Sequence, residues 1–228
     1  MNMKIGVIFS GSGVYDGTEI QEGVFTLLSI KKVGGEAVCF APDVNQHHVV
    51  NHITGEEMNE TRNVLVESAR IARGNIQSLD AFDSSQLDAL VLPGGFGAAK
   101  NLTKWAFSGP NGEINEQVKN AIISMVKEGK PVAGLCMGPT VIAKALEGSG
   151  VTATLTVGTT EETSPYEIDA ISQGMEKTGA TAVMKTVEEI SVDTENKIVT
   201  APCYMMEADI LQIRNNIQKA VDALVKLI

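Results

Sequence analysis

The sequence predicts an α/β fold built on a doubly wound, mostly parallel sheet. Short apolar runs without alternation, above all Ala89-Leu90-Val91-Leu92, suit parallel strands covered on both faces. Amphipathic helical patterns follow such runs in turn, the mark of βα units. At 228 residues, 43% of them hydrophobic and 20% charged, the chain fits one α/β domain over residues 1–228.

Each element has its own signal. Lys4 to Phe9 is a short apolar strand leading into the turn-rich Ser10-Gly11-Ser12-Gly13. A helix from Thr18 to Lys32 follows and Gly34-Gly35 stops it; Thr18 is a candidate N-cap, and Gln21 completes a capping-box spacing. Ala37 to Ala41 reads as the next strand. A polar excursion through Asn45, His47, His48 and His52 reaches Gly55-Glu56-Glu57. The next helix spans about Thr61 to Arg73, with Gly74 fitting its C′ position. The strand at Ala89–Leu92 ends in Pro93-Gly94-Gly95, and Asn101 to Asn115 reads as an irregular insertion. A helix from Glu113 to Lys127 precedes the apolar run Pro131-Val132-Ala133. Thr152–Val157, Ala182–Met184 and the pair Ile190–Val192 with Lys197–Thr200 read as further strands. A final amphipathic helix covers Met206 to Leu227, its Met and Ile stripe being core packing or a dimer face, and a homodimer is expected.

Composition excludes several functions. A formal charge of −10 argues against nucleic acid or anionic membranes, and 4% aromatics leave little surface for base stacking. Three cysteines without CxxC spacing make a disulfide framework or structural zinc site improbable. No apolar run approaches the ~18 residues of a membrane span. The chain passes from Met1-Asn2-Met3-Lys4 straight into a strand, so no targeting peptide is expected and a reducing, cytoplasmic setting is.

The stretch that carries chemistry is Gly134-Leu135-Cys136-Met137-Gly138, a sharp strand-to-helix turn with cysteine at its tip. Nucleophile elbows use the same logic: glycines two residues to either side remove Cβ atoms that would clash, and the nucleophile takes a strained backbone. A helix N-terminus beneath the sulfur favours thiolate. Cys136 is therefore the candidate nucleophile. Attack on a carbonyl builds an oxyanion, for which the Met137 amide and the Gly94-Gly95 backbone are the candidate donors.

The acid/base partner is the harder question. All three histidines, His47, His48 and His52, precede residue 53, so no histidine downstream of Cys136 can complete an amidotransferase-type triad. Glu19 and Glu22 lie in the opening turns of the first helix, at the ligand end of the sheet, where either could exchange a proton with a thiol or simply compensate the helix dipole. His48 and His52 have the i,i+4 spacing of a zinc pair but sit in a glycine- and asparagine-rich loop, and no metal is expected. Ser10-Gly11-Ser12-Gly13 hints at a phosphate cradle without the Walker lysine or a complete GxGxxG. Cys39 reads as core; Cys203, at a strand end, could approach the site but reads as structural.

With Pro93-Gly94-Gly95, the Cys136 elbow and an acidic residue in the first helix, the chain resembles the PfpI-type, class I amidotransferase-like superfamily along essentially its full length. Within it the chain is similar to the ElbB group of isoprenoid-biosynthesis-associated glyoxalases. That likeness rests on Phe9-Ser10-Gly11-Ser12-Gly13-Val14-Tyr15-Asp16-Gly17-Thr18-Glu19-Ile20, Val38-Cys39-Phe40-Ala41-Pro42-Asp43, Asn51-His52-Ile53-Thr54-Gly55-Glu56, Glu60-Thr61-Arg62-Asn63-Val64-Leu65 and Pro93-Gly94-Gly95-Phe96-Gly97-Ala98-Ala99-Lys100-Asn101-Leu102. The resemblance implies a flavodoxin-like, amidotransferase-like sandwich, with Cys136 as the family's elbow cysteine and Glu22 as its first-helix glutamate, leaving Glu19 accessory. It further implies a glutathione-independent glyoxalase of the hydro-lyase type, without cofactor, acting on glyoxal or methylglyoxal. The small aldehyde or dicarbonyl would become a 2-hydroxy acid through a hemithioacetal and a thioester on Cys136. The departure is the missing downstream histidine, which leaves Glu22 as main proton carrier and suggests slow turnover. The alternative is a non-catalytic or redox-sensing protein of the same fold.

Overall fold

The computed structural model describes residues 3–228; Met1 and Asn2, read above as part of the lead into the first strand, lie outside them. The first half runs β1 (Lys4–Ile8), α1 (Ile20–Lys32), β2 (Glu36–Ala41), α2 (Val64–Ile71), β3 (Gln77–Ser78), β4 (Ala89–Leu92), α3 (Trp105–Ser108) and α4 (Glu116–Lys127). The second half runs β5 (Val132–Leu135), α5 (Gly138–Leu146), β6 (Thr154–Leu155), α6 (Ile168–Lys177), β7 (Thr181–Ala182), β8 (Ser191–Asp193), β9 (Ile198–Ala201) and α7 (Ile210–Val225).

Seven strands form one sheet in the order β3-β2-β1-β4-β5-β9-β8, parallel throughout except for the β8–β9 pair. The predicted doubly wound α/β architecture is the one observed. β4 and β5 are buried along their whole length, as their unalternated apolar runs require. Leu90, Leu92 and Leu135 are fully buried, each contributing roughly 1.5–3 kcal/mol by removal from water. The chain winds outward from β1 through β2 to β3, then returns to place β4, β5 and β9 on the other side. This reversal puts the switch point between β1 and β4, where ligands bind in such sheets.

Several local expectations are corrected. Glu19, not Thr18, caps α1, its carboxylate accepting the Glu22 N–H at 2.7 Å. Thr18 Oγ1 is engaged instead by the Ser10 N–H at 2.8 Å, and the Gln21 side chain turns to the Tyr204 hydroxyl rather than closing a capping box. α2 begins only at Val64, because Asn63 Oδ1 accepts the Val66 N–H at 3.0 Å, and it ends at Ile71 with Arg73 already left-handed at φ 54°. α4 and α7 likewise start later than read, at the caps Asn115 and Asp209, the latter a full capping box.

The run read as a strand over Thr152–Val157 contributes only β6, which pairs with β7 in a separate two-stranded sheet. Its neighbours hold it there: Thr154 N–H donates to Asp193 Oδ2 at 2.8 Å and Thr156 N–H to Thr200 Oγ1 at 2.9 Å. A π-helical turn at Ala98–Leu102 leads into the irregular insertion, which contains α3 and a 3-10 turn at Gly109–Asn111. α6 was not anticipated. The stripe of α7 resolves as core, with Ile213, Ile217, Val221 and Leu224 buried on a face that packs against α1, β5 and β9.

Candidate active site

Three segments meet at the carboxyl ends of β1, β4 and β5. Cys136 stands between β5 and α5 with φ 55°, the left-handed region that a residue with a side chain enters at a cost of about 1–3 kcal/mol. Its N–H donates to Ala201 O at 3.0 Å, which fixes the turn to the neighbouring strand β9. The flanking glycines are required by close approach: a Cβ on Gly138 would lie 2.5 Å from Leu92 O, and one on Gly134 2.8 Å from Pro139 N. Cys136 is 5% exposed and lines a cavity of about 240 Å³.

Glu22 comes from the first turn of α1 and is fully buried. Gly94 N–H donates to its Oε2 at 3.0 Å and Tyr204 N–H to its Oε1 at 3.2 Å. Its carboxyl and the Cys136 thiol lie on either side of the Gly94 backbone, close enough for each to shift the other's ionisation. Gly94 runs between the two: a Cβ there would sit 2.3 Å from Cys136 Cβ, 2.7 Å from Glu22 Oε2 and 2.8 Å from Cys136 Sγ. No residue but glycine leaves that contact intact.

Burial pushes the Glu22 carboxyl up to about 8; neighbouring Glu19 adds to the rise, while the amides of Tyr204 and Gly94 and the Cys136 thiol oppose it. Burial also pushes the Cys136 thiol well above its ordinary value, with the Glu22 carboxylate reinforcing it against the amides of Gly95 and Met137. The helix N-terminus therefore does not leave a resting thiolate, contrary to the expectation from the macrodipole alone. Near neutral pH the pair is thiol and carboxylic acid. The first proton lost comes from Glu22, whose charge then opposes ionisation of the thiol; the Gly94 and Tyr204 amides support the carboxylate, and the Gly95 and Met137 amides favour charge on sulfur.

Of the expected oxyanion donors, Gly95 and Met137 turn their amides toward the sulfur, whereas the Gly94 amide is engaged by Glu22. Glu19 lines the cavity and caps α1, and burial raises its carboxyl. Cys203 is fully buried behind Cys136, with φ 49°, its N–H donating to Asn216 Oδ1 at 3.0 Å. Cys39 is buried in β2, and burial lifts its thiol to about 11. The histidines lie apart from the cavity. His47 packs on Phe107, and His52 stacks on Tyr15 while its Nε2 accepts the Tyr15 N–H at 3.2 Å. Among the described residues, no three His, Cys, Asp or Glu side chains are grouped to hold a metal ion. Ser10-Gly11-Ser12-Gly13 offers little cradle, because Ser10, Gly11 and Gly13 donate their N–H groups to Thr18 Oγ1, Ser68 Oγ and Thr18 O.

The cavity wall is largely apolar, with Val14, Phe96, Trp105 and Met205 among its members. Tyr166 and Tyr204 also line it, and sequence reasoning found neither. Tyr204 follows the end of β9, so the rule placing ligands at strand ends could have flagged it. Tyr166 lies in a loop far from any motif.

A family profile described as the DJ-1/PfpI family matches residues 75–204. The human mitochondrial glutamine amidotransferase-like class 1 domain-containing protein 3 is 39% identical over 98% of this chain and 83% of its own. The rat mitochondrial ES1 protein homolog is 38% identical over 98% of this chain and 84% of its own. Among solved structures, the isoprenoid biosynthesis protein with amidotransferase-like domain from Ehrlichia chaffeensis superposes with a TM-score of 0.89 at 30% identity, covering 99% of both chains. Glyoxalase III from Candida albicans superposes with a TM-score of 0.62 at 15% identity over 97% of both chains, a likeness of fold.

The mitochondrial relatives correct the expectation of a cytoplasmic protein. Cysteine usage and acidity report a reducing medium, which more than one compartment supplies, whereas address is written in targeting segments. No helix among the described residues is long and apolar enough to cross a membrane.

Proposed function

The chain belongs to the DJ-1/PfpI family, close to its isoprenoid-biosynthesis-associated amidotransferase-like group, and on that premise we propose that it is a cofactor-independent glyoxalase working through Cys136. The observation that carries this reading is the pairing of Cys136, which lines an apolar cavity, with the buried Glu22 carboxyl, from a distant part of the chain. The thiolate adds to an aldehyde carbon and the carbonyl oxygen becomes an oxyanion, held by the Gly95 and Met137 amides until protonated. Glu22 then removes the proton from that carbon and returns one to the neighbouring carbon, giving a thioester of a 2-hydroxy acid. Water cleaves the C–S bond, restoring the thiol and releasing glycolate from glyoxal or lactate from methylglyoxal. A base near 8 is matched to proton abstraction at mildly alkaline pH. The alternative of a low-pKa redox thiol is disfavoured by the burial that raises Cys136.

Glyoxal should be consumed without glutathione, with glycolate formed in equal amount. Turnover should fall to background in Cys136→Ala, and also in Gly94→Ala, where the added methyl separates thiol from carboxyl. Undiminished glycolate formation by Cys136→Ala would sink the proposal. The homodimer belongs to the same reading: Ile20, Val24 and Leu28 are 44–47% exposed at helical spacing along α1, a face a second copy would cover. Sedimentation equilibrium should give twice the chain mass, and a monomer at micromolar concentration would remove that part.

A further inference from the structure

Five side chains with a polar atom line the cavity: Glu19, Trp105, Tyr166, Tyr204 and the Cys136 thiol itself. Two are engaged within the chain. Glu19 accepts the Glu22 N–H at 2.7 Å as cap of α1, and the Tyr204 hydroxyl donates to Gln21 Oε1. The Tyr166 hydroxyl has no hydrogen-bond partner among the described residues, although its ring is firmly placed. The Tyr166 N–H donates to Ser164 Oγ at 3.0 Å, and Ser164 Oγ donates to Met205 O at 2.6 Å, tying this loop to the turn after β9. The Phe96 ring packs on the Tyr166 ring at 5.8 Å between centroids and 69° between planes. The result is a pre-positioned donor facing the space a substrate must enter.

We propose that Tyr166 is a further catalytic and specificity residue, donating its O–H to the second carbonyl oxygen of a 1,2-dicarbonyl whose first carbon is joined to Cys136. This rests on the glyoxalase reading above. When sulfur adds to the first carbon, the oxygen on that carbon stays beside the amides of Gly95 and Met137, which face the sulfur. The second oxygen is carried outward into the cavity, where the Tyr166 hydroxyl is a side-chain donor with no partner among the described residues. Abstraction of the first carbon's proton by Glu22 shifts electron density onto that second oxygen, and a donor already aimed there stabilises the charge as it forms. Tyr166 acts as donor and not as base: burial, with the nearby Cys136, Glu22, Tyr15 and Glu19, holds its phenol at about 12. It thus does part of the work of a histidine downstream of Cys136, which this chain lacks. A simple aldehyde has no second oxygen, so Tyr166 separates dicarbonyls from monoaldehydes.

The test compares wild type with Tyr166→Phe, which keeps the ring and its packing on Phe96. The first readout is protection of Cys136 against iodoacetamide, scored as the concentration of glyoxal or of propanal that halves the alkylation rate. The expected result is about a tenfold rise for glyoxal in Tyr166→Phe and no change for propanal, in line with loss of one hydrogen bond. Equal shifts for the two aldehydes, or none for glyoxal, would overturn the assignment. The second readout is glycolate formation. If wild type forms none, the glyoxalase reading fails while the protection ratio still decides the role of Tyr166. If wild type turns over and Tyr166→Phe matches it with unchanged protection, Tyr166 is excluded and the glyoxalase reading stands.

Discussion

Replacing Glu22 by glutamine is expected to abolish an inflection near pH 8 in the alkylation of Cys136 and to lower glyoxal turnover by about 10²- to 10⁴-fold. In the wild type the first proton lost, near pH 8, leaves a Glu22 carboxylate beside the thiol, a base that can take the thiol's proton as sulfur attacks. Glutamine cannot supply that proton exchange. The buried thiol then ionises alone, against burial, and the rate of reaction with iodoacetamide should keep rising beyond pH 9 without levelling. Turnover falls further than alkylation, because Glu22 is also the base that moves hydrogen between the two carbons. Stopped-flow alkylation from pH 6 to 10, paired with glycolate assays, separates the two effects. An inflection that stays near pH 8 in Glu22→Gln would mean that sulfur titrates independently of the carboxyl.

The parts of this site that were legible in the sequence are those enforced by backbone sterics. The elbow could be read because a left-handed cysteine demands small flanking residues, and Gly134 and Gly138 have no room for a Cβ. Strands β4 and β5 could be read because full burial leaves no reason for alternation. Position at the start of one helix does not separate Glu19 from Glu22; it is the family resemblance, through the spacing to Gly34, that points to Glu22. Packing sets the two apart physically: Glu19 caps the helix while Glu22 points inward to the Gly94 and Tyr204 amides. The capping rule favoured Thr18, but the first βα loop claims that hydroxyl for Ser10. Tyr166 carried no signal at all. It reaches the cavity through the loop between β6 and α6, whose course depends on contacts with Met205 that no local pattern encodes. The pKa of Cys136 was misjudged for a related reason: a dipole can be read from a helix boundary, but burial appears only once the chain is folded.

The buried Glu22 also makes stability fall as pH rises, by up to about 5 kcal/mol between pH 4 and pH 9. In the unfolded chain the carboxyl titrates near its ordinary value of 4.5, whereas in the folded chain burial holds the proton until about 8. Between those values the folded state binds one more proton than the unfolded state, so the free energy of unfolding declines with each unit of pH, by about 1.4 kcal/mol. The stabilisation is complete below pH 4.5 and is lost as pH passes through 8. Asp193 has the opposite sign, its carboxyl held low by Asn196 and the Thr154 amide despite its burial, and it contributes stability that disappears only in acid. The Glu22 contribution is isolated by difference. Glu22→Gln keeps the shape but turns an amide NH₂ toward Gly94 or Tyr204, leaving one backbone donor unpaired at about 1–3 kcal/mol. The variant should therefore be the less stable protein at pH 6 and approach or overtake wild type by pH 9. Urea unfolding of both proteins across that range reads the crossing. Parallel stability curves would mean that Glu22 carries its charge at neutral pH, and with it would go the buried acid-base group on which the proposed chemistry of Cys136 depends.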